Sequence, residues 1–176
     1  MSKPKSILNR KQINITIHRL CNQLMENHNN FSNTVIIGLQ PRGVLLADRL
    51  RQCLNEIHPE FQVELASLDI TFYRDDFRRR KDPLVPSSTQ LNVSLEDKKV
   101  ILVDDVLYTG RTVRAALDAM LDFGRPSSVE LLVFIDRRLS RHVPIHPDYV
   151  GHTVDVVAEE RVTVEWGDNE RVILEA

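Results

Sequence analysis

The chain has 176 residues, 42% hydrophobic and 27% charged, which is enough apolar mass for one cored domain and rules out wholesale disorder. Lys and Arg number 23 against 25 Asp and Glu, a formal net charge of −2, so a globally basic nucleic-acid coat is excluded while a local basic patch is not. No apolar run approaches the roughly 18 residues of a membrane span, the opening MSKPKSILNR lacks the apolar stretch of a secretory signal, and Cys21 and Cys53 form neither a CxxC pair nor a disulfide framework, so a reduced, cytoplasmic setting is expected.

Between residues 11 and 25, Ile13, Ile17, Leu20, Cys21 and Leu24 recur at helical spacing and predict an amphipathic first helix. TVIIGL at 34–39 reads as a buried strand, followed by a turn through Pro41 and Gly43. A second helical stripe runs over 44–57. Residues 61–73 are β-rich, with Val63, Leu65, Ser67, Asp69 and Thr71 on one face. The stretch 74–90, RDDFRRRKDPLVPSSTQ, predicts a long loop or weakly ordered hairpin; such loops in compact domains are functional or disordered. KVILV at 99–103 is the clearest buried strand, with a turn at 104–109 and a helix at 112–123 that stops at Gly124. SVELLVFI at 128–135 is a further strand, and three short β-like runs follow near 154–157, 162–166 and 171–174.

Strands alternating with helices predict an α/β fold with a mostly parallel central sheet flanked by helices. Ligands of such sheets bind beyond the carboxyl ends of the strands. The unusual residues of this chain fall there: after Leu39, Tyr73, Val103 and Ile135.

From Val100 to Ala116 the chain reads VILVDDVLYTGRTVRAA. Gly110 lets the backbone approach a ligand. Successive amides from Leu107 to Thr112 can form an anion nest, and the helix that follows adds free N–H groups and its positive end. Thr109 and Thr112 add hydroxyls. Asp104 and Asp105, at the strand tip, can accept from ribose hydroxyls or hold Mg²⁺ directly or through water. Glycine or an Asp pair alone is often only helix entry; the whole string describes a ribose 5-phosphate site. It is neither a Walker loop nor a GxGxxG loop.

VILVDDVLYTGRT resembles the phosphoribosyl diphosphate (PRPP) signature of type I phosphoribosyltransferases. GLQPRG (38–43), LDITFYRDD (68–76), DFGRPSSVELLVFIDRR (122–138) and HVPIHPDYVG (142–151) narrow the resemblance to the PyrR family of pyrimidine operon regulators and uracil phosphoribosyltransferases. It implies one type I phosphoribosyltransferase-like domain over 1–176, with a flexible hood at 74–90 within it. The implied reaction converts uracil and PRPP to UMP and diphosphate. Its transition state has oxocarbenium character, so positioning and charge stabilisation supply most of the catalysis.

The same resemblance implies the site residues. The 5-phosphate falls to Val106, Leu107, Tyr108, Thr109, Gly110, Arg111 and Thr112, and the ribose hydroxyls to Asp104 and Asp105; these acids and Arg42 are expected to carry catalysis. Pro41, Arg42 and Gly43 correspond to the diphosphate loop, where Arg42 offers several donors. Pro41 stands where the family usually has Thr, which removes one N–H and one hydroxyl. The hood would bring a cation, Arg78 or Arg80, to the diphosphate and exclude water. Asp136 and Arg137 would rim the uracil pocket. Val162 is a pocket wall or plain core, and Tyr108 a ribose contact or packing. No permanent metal site is expected, and Mg²⁺ would arrive with PRPP.

Binding of pyrimidine operon mRNA in response to UMP is also implied. For it the first helix offers His18 and Arg19, and Arg125, Arg138 and Arg141 a further patch, beside an acidic C-terminal end from Glu159. No membrane partner is expected, and the resemblance implies a dimer or larger homo-oligomer. A nucleotide-sensing regulator with little catalysis, or transfer to another base, are the alternative readings.

Overall fold

The computed structural model describes residues 4–73, 91, 93–156 and 160–175. The hood expected at 74–90, with Arg78 and Arg80, lies outside the described residues. The described chain enters through β1 (Lys5–Asn9), which runs directly into α1 (Arg10–His28). The junction is a reciprocal cap: the Gln12 amide donates to Asn9 Oδ1 (3.0 Å), and the Asn9 amide donates to Gln12 Oε1 (2.9 Å).

Next come β2 (Thr34–Leu39), α2 (Gly43–Ile57), β3 (Glu64–Leu68), β4 (Lys99–Leu107), α3 (Arg111–Met120), β5 (Ser128–Asp136) and β6 (Tyr149–Thr153). The five strands pair in the order β3-β2-β4-β5-β6, every neighbour parallel. β2 is buried at every position because helices cover both faces, and the two-residue period divides its side chains. Ile36 joins Ile101, Val103, Leu132 and Phe134 on the side of α1 and α2. Val35 and Ile37 join Val100, Leu102, Leu131 and Val133 on the side of α3. Each such side chain contributes about 1.5–3 kcal/mol on burial. The last two strands, β7 (Arg161–Glu165) and β8 (Arg171–Glu175), form an antiparallel sheet with β1, in the order β1-β8-β7. Its Leu8, Val162, Val164 and Val172 extend the core on the α1 and α2 side.

Four elements differ from the sequence reading. β1 was not expected. β3 stops at Leu68 instead of reaching Tyr73, because the Asp69 carboxylate captures the Thr71 amide (2.8 Å) and bends the chain into a 3₁₀ turn over Thr71–Tyr73. β4 continues to Leu107, so Asp104, Asp105, Val106 and Leu107 are strand residues; Val106 and Leu107 pair with Ile135 and Asp136. β6 lies at Tyr149–Thr153, ahead of the expected 154–157; Val154 and Val156 are buried in the core, so their alternation records burial rather than pairing.

At the amino ends of the strands, opposite the site, a buried polar network joins α1 to the sheet. The Glu130 carboxylate accepts from Tyr149 Oη (2.7 Å) and His28 Nε2 (2.8 Å), and Asn27 Nδ2 donates to Tyr149 Oη (2.9 Å). Burial opposes ionisation of Glu130, but the hydrogen bonds from Tyr149 and His28 outweigh it and hold the carboxyl below its usual range. A lowered carboxyl pKa stabilises the fold above the ordinary value, about 4.3, and that stability is lost as pH falls through the lowered one. Glu130→Gln is therefore expected to cost about 1–2 kcal/mol near pH 7. Melting temperatures across pH check this: the gap to the parent should close in acid, and a gap independent of pH would refute the ionic role.

Candidate functional site

The carboxyl ends of β2, β4 and β5 meet at one mouth. After Leu39 the chain turns through a cis Gln40–Pro41 peptide into Arg42, and α2 begins at Gly43. The turn lies hard against β4. A Cβ on Gly43 would sit 2.2 Å from the Val103 carbonyl oxygen, and one on Gly38 2.6 Å from Val44 Cα. The lack of a side chain at Gly43 thus serves a strand contact as well as any ligand. Pro41 is exposed, and Arg42 lies at the rim with its side chain 43% exposed.

Asp104 and Asp105 are 9% and 6% exposed within the carboxyl-terminal half of β4. The Asp105 amide donates to Asp104 Oδ1 (2.9 Å), and Arg42 Nη1 lies 3.9 Å from Asp105 Oδ2. That oxygen is buried and has no hydrogen-bond partner. Burial pushes the Asp105 carboxyl above its usual range, against Arg42 and the Val106 amide, which pull it down. A buried acceptor with an open lone pair near the carboxyl end of a strand suits a substrate hydroxyl or a hydrated cation.

The turn between β4 and α3 is shorter than the 104–109 expected from the sequence. Leu107 is buried and its carbonyl accepts from the Arg137 amide (3.0 Å), so the turn proper is Tyr108–Gly110. Gly110 precedes α3 at φ 85°, a left-handed conformation that favours glycine, and a Cβ there would lie 2.8 Å from Val143 Cγ2. Gly110, at the N-cap of α3, has no side chain to cap it, and the Arg111 amide reaches Thr109 Oγ1 only at 3.4 Å. The first amides and positive end of the helix face the turn, with Thr109 and Thr112 half-buried and Arg111 exposed.

Asp136 and Arg137 end β5, both buried. The Arg137 guanidinium stacks 4.0 Å over the Tyr108 ring, so Tyr108 is a platform joining the turn to the β5 end. The Asp136 carboxylate pairs with Arg141, a residue that sequence reasoning placed only in a surface patch. Arg138 makes a bidentate pair with Asp155, both bonds 2.6 Å. Val162 sits in the core of the small sheet, opposite Leu174. On α1, His18 Nδ1 donates to the Asn14 carbonyl (2.8 Å), and Arg19 donates to the Val150 carbonyl of β6 (3.2 Å), so Arg19 also ties helix to sheet. Among the described residues no group of three or more His, Cys, Asp or Glu is arranged to hold a metal, and no helix is long and apolar enough to cross a membrane.

This arrangement defines a class. Residues 4–166 match the family described as phosphoribosyl transferase domain. Proteins called bifunctional protein PyrR, from Bacillus cereus (strain AH820) and Bacillus thuringiensis subsp. konkukian (strain 97-27), are each 40% identical to the chain over 174 residues, 97% of this chain and 95% of theirs. The chain belongs to the PyrR family of phosphoribosyltransferase-domain proteins. Solved structures repeat the fold. The hypoxanthine phosphoribosyltransferase of Trypanosoma cruzi superposes with a TM-score of 0.74 at 16% identity, covering 97% of this chain and 95% of that one. A hypoxanthine-guanine phosphoribosyltransferase from Bacillus anthracis gives 0.70 at 16%, covering 88% and 86%.

Proposed function

We infer that the protein transfers the phosphoribosyl group of PRPP to uracil, forming UMP and diphosphate, and that it regulates pyrimidine operon transcription by binding mRNA in response to UMP. The observation that carries the first part is the convergence of three groups at one mouth: the Tyr108–Gly110 turn with the start of α3, the buried Asp104 and Asp105, and Arg42. In this reading the turn amides, Thr109 and Thr112 hold the 5-phosphate. Asp104 and Asp105 accept from the ribose hydroxyls, and their charge favours the cation that develops at the anomeric carbon. Arg42 faces the diphosphate, and Asp136 and Arg137 with the adjoining backbone face the base.

Mg²⁺ belongs to the same reading. The open Asp105 oxygen suits a hydrated ion that keeps its waters and is held by one or two carboxylates and substrate oxygens. Bound there, it would neutralise diphosphate charge. The two buried free thiols, Cys21 and Cys53, suit a cytoplasmic protein. For RNA, a groove of about 900 Å³ along the outer face of α1 presents Arg10, Lys11, His18 and Arg19. We assign a dimer or larger assembly, which would double that surface.

The test is nucleotide formation from PRPP and Mg²⁺ with uracil, orotate, hypoxanthine, guanine or adenine, beside salt-dependent binding of a pyrimidine-operon leader RNA. UMP from uracil alone is the expected result. Turnover of another base instead of uracil would overturn the base assignment. Leader binding without any nucleotide would favour a regulator with little catalysis, a reading that Pro41, with no N–H to offer the diphosphate, makes specific.

A further inference from the structure

Arg141 lies in the segment after β5, with its side chain only 19% exposed. Its guanidinium is spread against main chain rather than toward solvent. Nε donates to the Ile145 carbonyl (3.1 Å). Nη1 lies within hydrogen-bonding distance of the carbonyls of Leu107 (3.3 Å), Tyr108 (2.5 Å) and Arg137 (3.2 Å), and Nη2 pairs with the Asp136 carboxylate. Neighbouring amides of the same segment complete the hold. Those of His142 and Val143 lie 3.0 and 3.3 Å from the Thr109 carbonyl, and that of Arg137 donates to Leu107.

The carbonyls of Leu107, Tyr108 and Thr109 are thus all claimed by residues 137–143. A trans peptide is rigid, and its C=O and N–H point in opposite directions. Fixing those three carbonyls toward Arg141 and its neighbours therefore aims the amides of Tyr108, Thr109 and Gly110 the other way, as an anion-binding turn requires. Only a planar fork with several donors spans such a set; a lysine ammonium reaches part of it.

We propose that Arg141 is a positioning residue that sets the phosphate-binding turn, acting through the carbonyls of Leu107 and Tyr108 and anchored on Asp136. The proposal rests on the phosphoribosyl reading of the turn. It reaches beyond that reading because Arg141 acts through main-chain carbonyls rather than on substrate, and it makes the end of β5 and the phosphate turn one mechanical unit.

The test compares the parent with Arg141→Gln and Arg141→Lys, using steady-state turnover and calorimetric binding of ribose 5-phosphate. Loss of the hold is expected to raise KM for PRPP and Kd for ribose 5-phosphate about tenfold or more in Arg141→Gln, with an intermediate rise in Arg141→Lys. KM for uracil, which Asp136 also faces, should rise less than KM for PRPP. A merely structural role would lower the active fraction, so kcat would fall with both KM values and Kd unmoved; that result overturns the proposal. If Arg141→Gln does not fold, the Kd of Arg141→Lys decides in the same way. If the parent binds ribose 5-phosphate but makes no nucleotide, the transferase reading fails and the Kd comparison still decides the role of Arg141. A parent that does not bind ribose 5-phosphate overturns both.

Discussion

Gly43→Ala is expected to cost about 3 kcal/mol, the upper end for overpacking, and to remove nucleotide formation. The added Cβ would lie 2.2 Å from the Val103 carbonyl oxygen, 3.1 Å from the Val103 carbonyl carbon and 3.2 Å from Asp104 Cα. Those atoms are backbone of the central strand, and Val103 is paired on both sides, with Gly38 of β2 and Leu132 of β5. A flexible side chain would give way; a doubly paired strand does not. The turn must therefore lift from β4, and Arg42 moves with it, away from its 3.9 Å approach to Asp105. For a chain of this size the loss corresponds to a melting point lower by roughly 6–12 °C. Gly167→Ala is the control. That glycine has φ 116° but nothing within 4 Å of an added Cβ, so only backbone strain is felt, on the order of 1 kcal/mol, with turnover unchanged. Thermal denaturation and uracil turnover of the two variants decide it. A Gly43→Ala protein with the parent's melting point and activity would refute the close approach.

What could be read in advance follows from how local each signal is. α1, β2, α2 and β5 were legible because their apolar residues repeat at the period of one element. The candidate-site string over 104–112 stood out because an acid pair, a glycine and two threonines run without interruption from one strand into a helix. β1 was not, because KSILN has two apolar residues and owes its extended form to pairing with β8, more than 160 residues away. The true end of β4 was hidden because two aspartates look like a stop signal, yet the ladder to β5 carries them. Arg141 was hidden for a different reason. It acts on carbonyls, which every residue has, so no pattern of side chains betrays its targets. Arg19 looked like a surface cation because its partners are β6 carbonyls supplied by the fold.

Asp105→Asn is expected to separate stability from activity. The carboxyl is buried, one oxygen lacks a partner, and burial raises its pKa in the folded state. A raised pKa means that the fold holds the proton more tightly than the unfolded chain does. The stability tied to that proton is complete below the ordinary carboxyl value, about 3.9, and is lost as pH rises through the raised one. At neutral pH the charge therefore works against the fold, and an isosteric amide relieves it. Truncating one member of a buried ion pair ordinarily strands the other. Arg42, with its side chain 43% exposed, instead returns to water. The variant should melt at or above the parent's temperature near pH 7.5, and the two should converge near pH 4. Turnover should fall about 100-fold or more, because a neutral amide no longer favours the positive charge that develops on the ribose. A group retained at a cost to the fold, whose loss abolishes turnover, is there for chemistry. Parallel melting curves and uracil turnover across pH make the measurement. An Asp105→Asn protein that is both less stable at neutral pH and fully active would place Asp105 in the scaffold and remove it from the site.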